Sequence, residues 1–429
     1  MLRAALAVAV AGLAGCIDAG AFTCAQDTDC GGGGVCEIAG YCSFADDSCD
    51  SGRRYGEHSG SLGATCVGAT GTRGDGVVEI ALGADHACAR TADGAVACWG
   101  SNLNGALGDG TTDDASAPVF VDGLGSATAL AAGQLHTCAV ADGIVWCWGG
   151  GDNGQLGDGK GRDRSTPAPI AGLDGEPELS QVVDVAVGNL HSCALTSAGA
   201  VWCWGKNTHG QLGLGDPDVR TSPDRVGLSN VASLVANGAD TCAVTADHTV
   251  YCWGKNQYGQ LGLGDTDDRL SPTRVPWLDD TTFDVGGNHI CAIDAAGLVR
   301  CAGRNNYGQI GDGSTEARSK PVEVKGMPSS VELAAGNWFT CGRTFDDVRC
   351  WGRDDDGELG DGPGENRTKP QKPVALGPRA GRIAAGKRHA CALTIDGSVW
   401  CWGADDLGQR GDGDASGNAP VSRVAFADR

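Results

Sequence analysis

Aromatic residues make up only 5% of this chain, methionine occurs twice, and 32 Lys plus Arg stand against 54 Asp plus Glu. The shortage of positive charge leaves a net charge of −22. An acidic surface repels phosphate backbones, so nucleic acid is excluded as a partner. No long amphipathic helical stretch occurs, and beyond the first 16 residues no apolar run is long enough to span a bilayer. What is abundant is glycine, with 71 residues, among many short apolar runs. That balance fits a turn-rich all-β protein.

Cysteine is also abundant, with 21 residues in 429. In an oxidising compartment such a number reads as a disulfide framework, and the odd count asks for one cysteine with another role. The N-terminus supplies it. Residues 1–16 read MLRAALAVAVAGLAGC. Arg3 and the apolar run 4–14 form a signal peptide, and Leu13-Ala14-Gly15-Cys16 resembles the bacterial lipobox. The resemblance implies cleavage after residue 15 and lipid attachment at Cys16. Twenty cysteines then remain, and the acyl chains attach the protein to a membrane without a spanning helix.

The sequence divides into a signal peptide (1–15), a lipid-anchored cysteine-rich segment (16–76) and a repeat region (77–426). The second segment holds Cys24, Cys30, Cys36, Cys42, Cys49 and Cys66. Six cysteines admit fifteen pairings, and spacing does not choose among them. The segment has too little apolar material for a core of its own, so disulfides are expected to hold it. It looks like cysteine-rich segments near the N-termini of other bacterial surface lipoproteins. Zinc is disfavoured, because there is no CxxC pair and His58 is the only nearby histidine.

The repeat region contains seven copies of one unit. Cysteines at 98, 147, 203, 252, 301, 350 and 401 follow one another in steps of 49, 56, 49, 49, 49 and 51. Each unit shows four short strand patterns, and a period near fifty is a propeller signature. Trp-Gly pairs begin at Trp99, Trp148, Trp204, Trp253, Trp351 and Trp402, and Gly-Gln-Leu-Gly corners begin at 154, 210 and 259. Weaker corners begin at 105, 308 and 357. These units resemble the regulator of chromosome condensation repeat. The resemblance implies an all-β, seven-bladed propeller, preceded here by a small disulfide-rich module. Two departures are Ala302, where Trp is expected, and Arg410, where Leu is expected. Residues 420–426 could either complete the seventh blade or pair with the first.

Each unit holds two cysteines nine or ten residues apart: Cys88 and Cys98, Cys138 and Cys147, Cys193 and Cys203, Cys242 and Cys252, Cys291 and Cys301, Cys341 and Cys350, Cys391 and Cys401. Counting inward from Cys138 and Cys147 leaves Asp142-Gly143, a two-residue hairpin turn. Counting inward from Cys88 and Cys98 leaves Ala92-Asp93-Gly94, with glycine at the left-handed position. Each pair therefore faces across antiparallel strands, within disulfide range. Seven intrablade disulfides are expected, each stabilising by about 2.5–3 kcal/mol. Buried free thiols are the competing reading, which the export signal disfavours.

Five units carry a histidine in one equivalent position: His86, His136, His191, His289 and His389. Held in separate blades, they are expected to bond a neighbouring backbone carbonyl rather than share a metal. Arg410-Gly411-Asp412 spells an adhesion tripeptide inside a repeated corner and is read as coincidence. Asp354-Asp355-Asp356-Gly357 lacks the closing glutamate of a calcium loop and is read as a solvated turn. No nucleophile elbow, phosphate loop or HExxH occurs, so the chain is not expected to be an enzyme and no catalytic residue, cofactor or metal is assigned.

The variable parts are the loops after the corners: 111–116, 160–166, 217–222, 266–271, 314–320, 363–369 and 414–418, with an insertion near 174–181. Loops on a rigid scaffold commonly carry binding, although plain polar connection is the alternative. The expected function is a binding or scaffold lipoprotein of the bacterial envelope, on the outer membrane, the cell surface or in the periplasm. It would be a monomer that recognises a protein or glycan. The family resemblance adds two alternatives, a secreted enzyme inhibitor and a regulator of guanine nucleotide exchange. A propeller-fold lyase or hydrolase is a further one.

Overall fold

The computed structural model describes residues 76–170, 181–371, 374–415 and 420–426, together with the backbone of three short strands, Val35–Cys36, Cys42–Ala45 and Arg53–Tyr55. Those three form an antiparallel sheet in which Cys36 stands opposite Cys42. The signal peptide, Cys16, the remaining cysteines of the first segment and most of the insertion near 174–181 lie outside the described residues. The chain divides into two units, Met1–Ala69 and Thr70–Arg429.

The second unit is a seven-bladed propeller. Each blade is one antiparallel sheet whose strands follow chain order from the centre outward. The third blade shows the plan: Val182–Val187, His191–Thr196, Val201–Gly205 and Arg220–Arg225. In the sixth blade, Glu332–Ala335, Phe339–Arg343 and Val348–Gly352 are followed only by a bridge from Gly352 to Arg367.

Hairpin turns fix the register as their composition requires. Asp142 and Gly143 both adopt positive φ, 53° and 73°, which is the primed turn that matches strand twist. Pairing then runs without a slip to Cys138 opposite Cys147. Seven disulfides join the cysteine pairs of the seven blades. Their Cα atoms are 4.0–4.2 Å apart, the close spacing of non-hydrogen-bonded sites.

The core lies between blades. Seven buried clusters each combine residues of two neighbouring sheets; one joins Val140, Val145 and Leu156 of the second blade to Val185 and Trp204 of the third. A lone four-stranded sheet could not cover both its faces, so the closed ring supplies the missing partner. Closure uses no exchanged strand. Ser422–Arg423 completes the seventh blade, with Cys401 opposite Ser422. The seam is bound by Lys387 N donating to Ala84 O at 3.2 Å and by a buried cluster of Val424, Leu393, Val77 and Trp99.

Each joint between blades is fastened in a repeated way. Trp204 Nε1 donates to the corner carbonyl of Gln155 in the preceding blade at 2.8 Å, and Trp148, Trp253, Trp351, Trp402 and Trp99 do the same to their own neighbours. The corner glycine lies against the ring. A Cβ on Gly157 (φ 68°) would come within 2.8 Å of Trp204 Nε1. At Ala302, where the fifth blade lacks this tryptophan, Trp277 of the preceding connector fills the space. Its Nε1 donates to Leu261 O at 2.8 Å, and Gly262 packs against its ring.

Candidate functional site

Because consecutive strands alternate in direction, the turns after the first and third strands of every blade share one face. That face carries the glycine corners and the variable loops. The corners are rigid: Leu212 N donates to Asn207 Oδ1, and His209 N donates to Gln211 Oε1, both at 2.9 Å. Each corner also ties to the next blade, as where Gly215 N donates to Leu270 O at 2.9 Å.

On this scaffold the residue after each Trp-Gly pair or its equivalent projects from the end of the third strand. It is Ser101, Gly150 and Ala404 in three blades, but Lys206, Lys255, Arg304 and Arg353 in the third to sixth. Aromatic groups accompany this row. Lys255 Nζ and the Arg304 guanidinium lie 5.2 and 5.1 Å from the centre of the Tyr258 ring, and Arg353 lies 4.9 Å from that of Trp338.

The cations differ in their company. Arg353 pairs with Asp355 at 2.8 Å, Asp356 at 3.2 Å and Glu358 at 3.4 Å. Arg388 pairs with Asp85 at 3.2 Å across the seam and with Asp406 of its own blade at 2.9 Å, and Lys387 also reaches Asp85. Lys206, Lys255 and Arg304 form no ion pair with a carboxylate within 4 Å among the described residues, although Lys255 stands close enough to buried Asp240 to favour its charged form. Lys255 Nζ instead donates to Asn288 Oδ1 at 2.9 Å. Lys206 and Lys255 line a cavity of about 190 Å³ with Gln134, Asn189, His209 and Asn288. A larger hollow of about 650 Å³ lies among the hairpin turns of the opposite face, lined by Asp280, Asp294, Ile293 and Phe345, with no Lys or Arg. The ring centre is nearly filled, with about 60 Å³ open.

The sequence-singled residues fall elsewhere. His136 sits in a buried joint, its Nε2 2.9 Å from Ser192 Oγ, which in turn donates to Gln155 O at 3.0 Å. The hydroxyl has one hydrogen and gives it to the carbonyl, so the ring nitrogen donates and the imidazole is the neutral Nε2–H form. His86, His191 and His289 make the same contact with Thr137, Thr241 and Thr340. The expected backbone carbonyl is therefore reached through an intervening hydroxyl. Burial lowers His136 and His191 to about 3, and His86, His289 and His389 to about 4.

Arg410 is only 2% exposed and pairs with Asp405 at 2.8 Å and Asp412 at 3.2 Å, so the tripeptide is not presented to solvent. The acidic run is not a wholly solvated turn either. Asp354 is buried, its Oδ1 accepting from Leu359 N in the role that Asn207 plays three blades earlier, and burial pushes its carboxyl up to about 6. No cluster of metal-ligating side chains occurs among the described residues. Of the post-corner loops, part of 414–418 lies outside the described residues. The cation row was missed because it precedes the corners; reading down the residue after Trp-Gly across the seven units would have found it.

The RCC1-like domain matches residues 54–372, and the regulator of chromosome condensation (RCC1) repeat matches 382–409. The ultraviolet-B receptor UVR8 of Arabidopsis thaliana is 33% identical over 157 residues, 36% of this chain and 35% of that protein. The probable E3 ubiquitin-protein ligase HERC4 of Mus musculus is 53% identical over 47 residues, 11% of this chain and 4% of that protein. The matched segments thus span about a third or less of these relatives. Among solved structures, yeast RCC1 (Prp20) bound to Kap60 gives a TM-score of 0.67 at 24% identity, covering 82% of this chain and 85% of that one. Human WBSCR16 gives 0.64 at 22%, covering 72% and 84%. These likenesses concern the fold. With the domain match covering well over half of its length, the chain belongs to the RCC1-like domain family.

Proposed function

We propose that this chain is a non-catalytic binding protein of the bacterial envelope, exported, lipid-anchored at Cys16 and held at the membrane by its acyl chains. Its partner is a protein, recognised by the propeller face that carries the corners. The observation that carries this reading is that Lys206, Lys255 and Arg304 form no ion pair within 4 Å among the described residues, on a rigid face of a chain whose net charge is −22. Unpaired charge on a preorganised surface favours a complementary partner.

Other observations support it. Seven blade disulfides suit an oxidising compartment rather than a reducing cytosol. Related propellers bind proteins: Prp20p of Saccharomyces cerevisiae is described with binding properties to Gsp1p and histones, and yeast RCC1 is seen bound to Kap60. The test is expression of the full chain in a bacterium, followed by mass spectrometry of the mature protein and affinity capture from envelope extracts. Lipid on Cys16, blade cystines and a specific captured protein are expected. A cytosolic, reduced, unlipidated product would overturn the setting, and turnover of a captured substrate would overturn the non-catalytic role.

A further inference from the structure

We propose that the cavity between Lys206 and Lys255 is a carboxylate socket that receives an acidic side chain from a polypeptide partner. This rests on the protein-binding reading above and names the chemistry of its contact.

The two lysines occupy the same repeat position in consecutive blades, so the propeller symmetry sets their separation and aims both from neighbouring strand ends. They open on one cavity of about 190 Å³, with amide groups of Gln134, Asn189 and Asn288 on its wall. That volume is below the roughly 300–1,000 Å³ of pockets that enclose a small molecule. It suits one short side chain presented by a larger body. The lining supplies the donors a carboxylate needs: two ammonium groups and side-chain amides.

The electrostatics select the same ligand. Elsewhere on this face, Arg353, Lys387 and Arg388 are each matched by carboxylates within 3.5 Å. At the socket the nearest acids do not serve that purpose. Asp268 is 2.8 Å from His209 Nδ1, and its other oxygen accepts from Asn256 N at 2.8 Å. Asp240, next to the lining residue Ala239, is fully buried, bonds Gln260 Nε2 at 3.2 Å and forms no ion pair within 4 Å; burial pushes its carboxyl well above the ordinary range, against the opposing pull of Gln260 and Lys255. Its Oδ1 has no hydrogen-bond partner among the described residues. Lys255 is also held in place by Asn288 and the Tyr258 ring, which reduces the ordering cost on binding. A nucleic acid would bring the same anionic chemistry, but its dense charge would meet the acidic remainder of the surface.

The test uses the full oxidised chain and a fluorescent octaglutamate peptide, read by anisotropy at low and physiological salt. Binding should weaken on adding salt. Lys206→Glu and Lys255→Glu should each weaken it at least about tenfold, as expected for an interfacial charge whose partner is left unpaired. Lys206→Gln and Lys255→Gln should weaken it less, and Lys325→Glu, an exposed charge-matched change after an outer strand, should leave it unchanged. Near-ultraviolet circular dichroism checks that each variant is folded. Equal peptide affinity in the Glu variants would overturn the socket, as would a sulfated oligosaccharide binding there more tightly than the peptide. If the Glu variants still capture the wild-type partner from extracts, the socket fails and the binding role stands. If the peptide binds but no protein is captured, the binding role fails and the socket stands.

Discussion

The joint between the second and third blades and the joint that closes the ring follow one plan and differ in two places. In the first, His136 donates to Ser192, Ser192 donates to Gln155 O, and Trp204 donates to the same carbonyl. At the closing joint, Trp99 still donates to Gln409 O at 3.0 Å, but Ala87 stands where the hydroxyl should be. His389 is fully buried and neither ring nitrogen reaches a hydroxyl; its polar neighbour is the backbone of His86, too poorly aligned for a full hydrogen bond. Arg410 replaces the corner leucine and finds Asp405 where the first, third, fourth and fifth corners have asparagine. The tryptophan–carbonyl clasp is thus the part of the joint kept at the seam, and the rest is exchangeable when both members of a pair change together. The sixth-to-seventh joint makes the same point, since Phe339 and Ala390 replace histidine and hydroxyl at once.

The largest effect should come from breaking the paired exchange in the seventh corner. Arg410→Leu restores the common residue but leaves Asp405, 5% exposed, without its cation. A loss of about 3–5 kcal/mol is expected. Adding Asp405→Asn should recover it, because the Oδ1 that accepts from the residue 410 amide at 3.0 Å survives the change. Guanidinium denaturation midpoints of the two variants, with disulfides intact, measure this. A single variant as stable as the double one would show that the ion pair is idle.

That coupled exchange also marks what the sequence could and could not reveal. Blade number, strand order and hairpin register were legible because they depend on a repeated period and on local turn chemistry, such as Asp142-Gly143. Arg410 was legible as a departure, but its partner lies five residues earlier, in a position that reads as an ordinary Asn-to-Asp change. Trp277 was harder still. It replaces the missing ring at 302 from a connector outside the repeat register, so only packing reveals the substitution. Ring closure by Ser422–Arg423 was undecidable for a similar reason, since either pairing would bury the same apolar residues. Within the site, the scaffold was legible and the socket was not, because it depends on which cations form no ion pair.

The histidines separate a regular joint, here that between the third and fourth blades, from the closing joint by pH as well as by stability. At neutral pH, His191→Leu strands an acceptor lone pair of Thr241 and should cost about 1–3 kcal/mol. His389→Leu strands no hydroxyl, giving up only a poorly aligned contact with the His86 backbone, and should cost much less. The folded values, about 3 and 4, lie below the ordinary 6.5, so the unfolded chain binds more protons between those limits. The histidine contribution to stability is therefore complete above pH 6.5 and is lost as pH falls towards 4. Removing either histidine should flatten that decline by up to one proton, about 1.4 kcal/mol per pH unit. Buried Asp284, pushed up to about 7, works in the opposite direction and is unaffected by both changes. Urea titrations at pH 7.5, 5.5 and 4.5 test the slope. An unchanged slope in His389→Leu would mean that this ring is already protonated in the fold.

The smallest effect is a gain. Ala87→Ser places a hydroxyl at the seam in the position that Ser192 occupies in the regular joint. The other three parts are present: His389 in the seventh blade, Gln409 O at the corner and Trp99 against it. Serine adds one heavy atom to a fully buried site, and that atom would accept from His389 Nε2 and donate to Gln409 O. Giving this buried nitrogen a well-aligned hydroxyl partner should stabilise the ring by about 0.5–1.5 kcal/mol at pH 7.5. The gain should disappear in an Ala87→Ser, His389→Leu double variant, because the new oxygen then lacks its donor. A gain that survives His389→Leu would show that the hydroxyl acts through the corner carbonyl alone, and that the histidine is dispensable at every joint where the tryptophan clasp is intact.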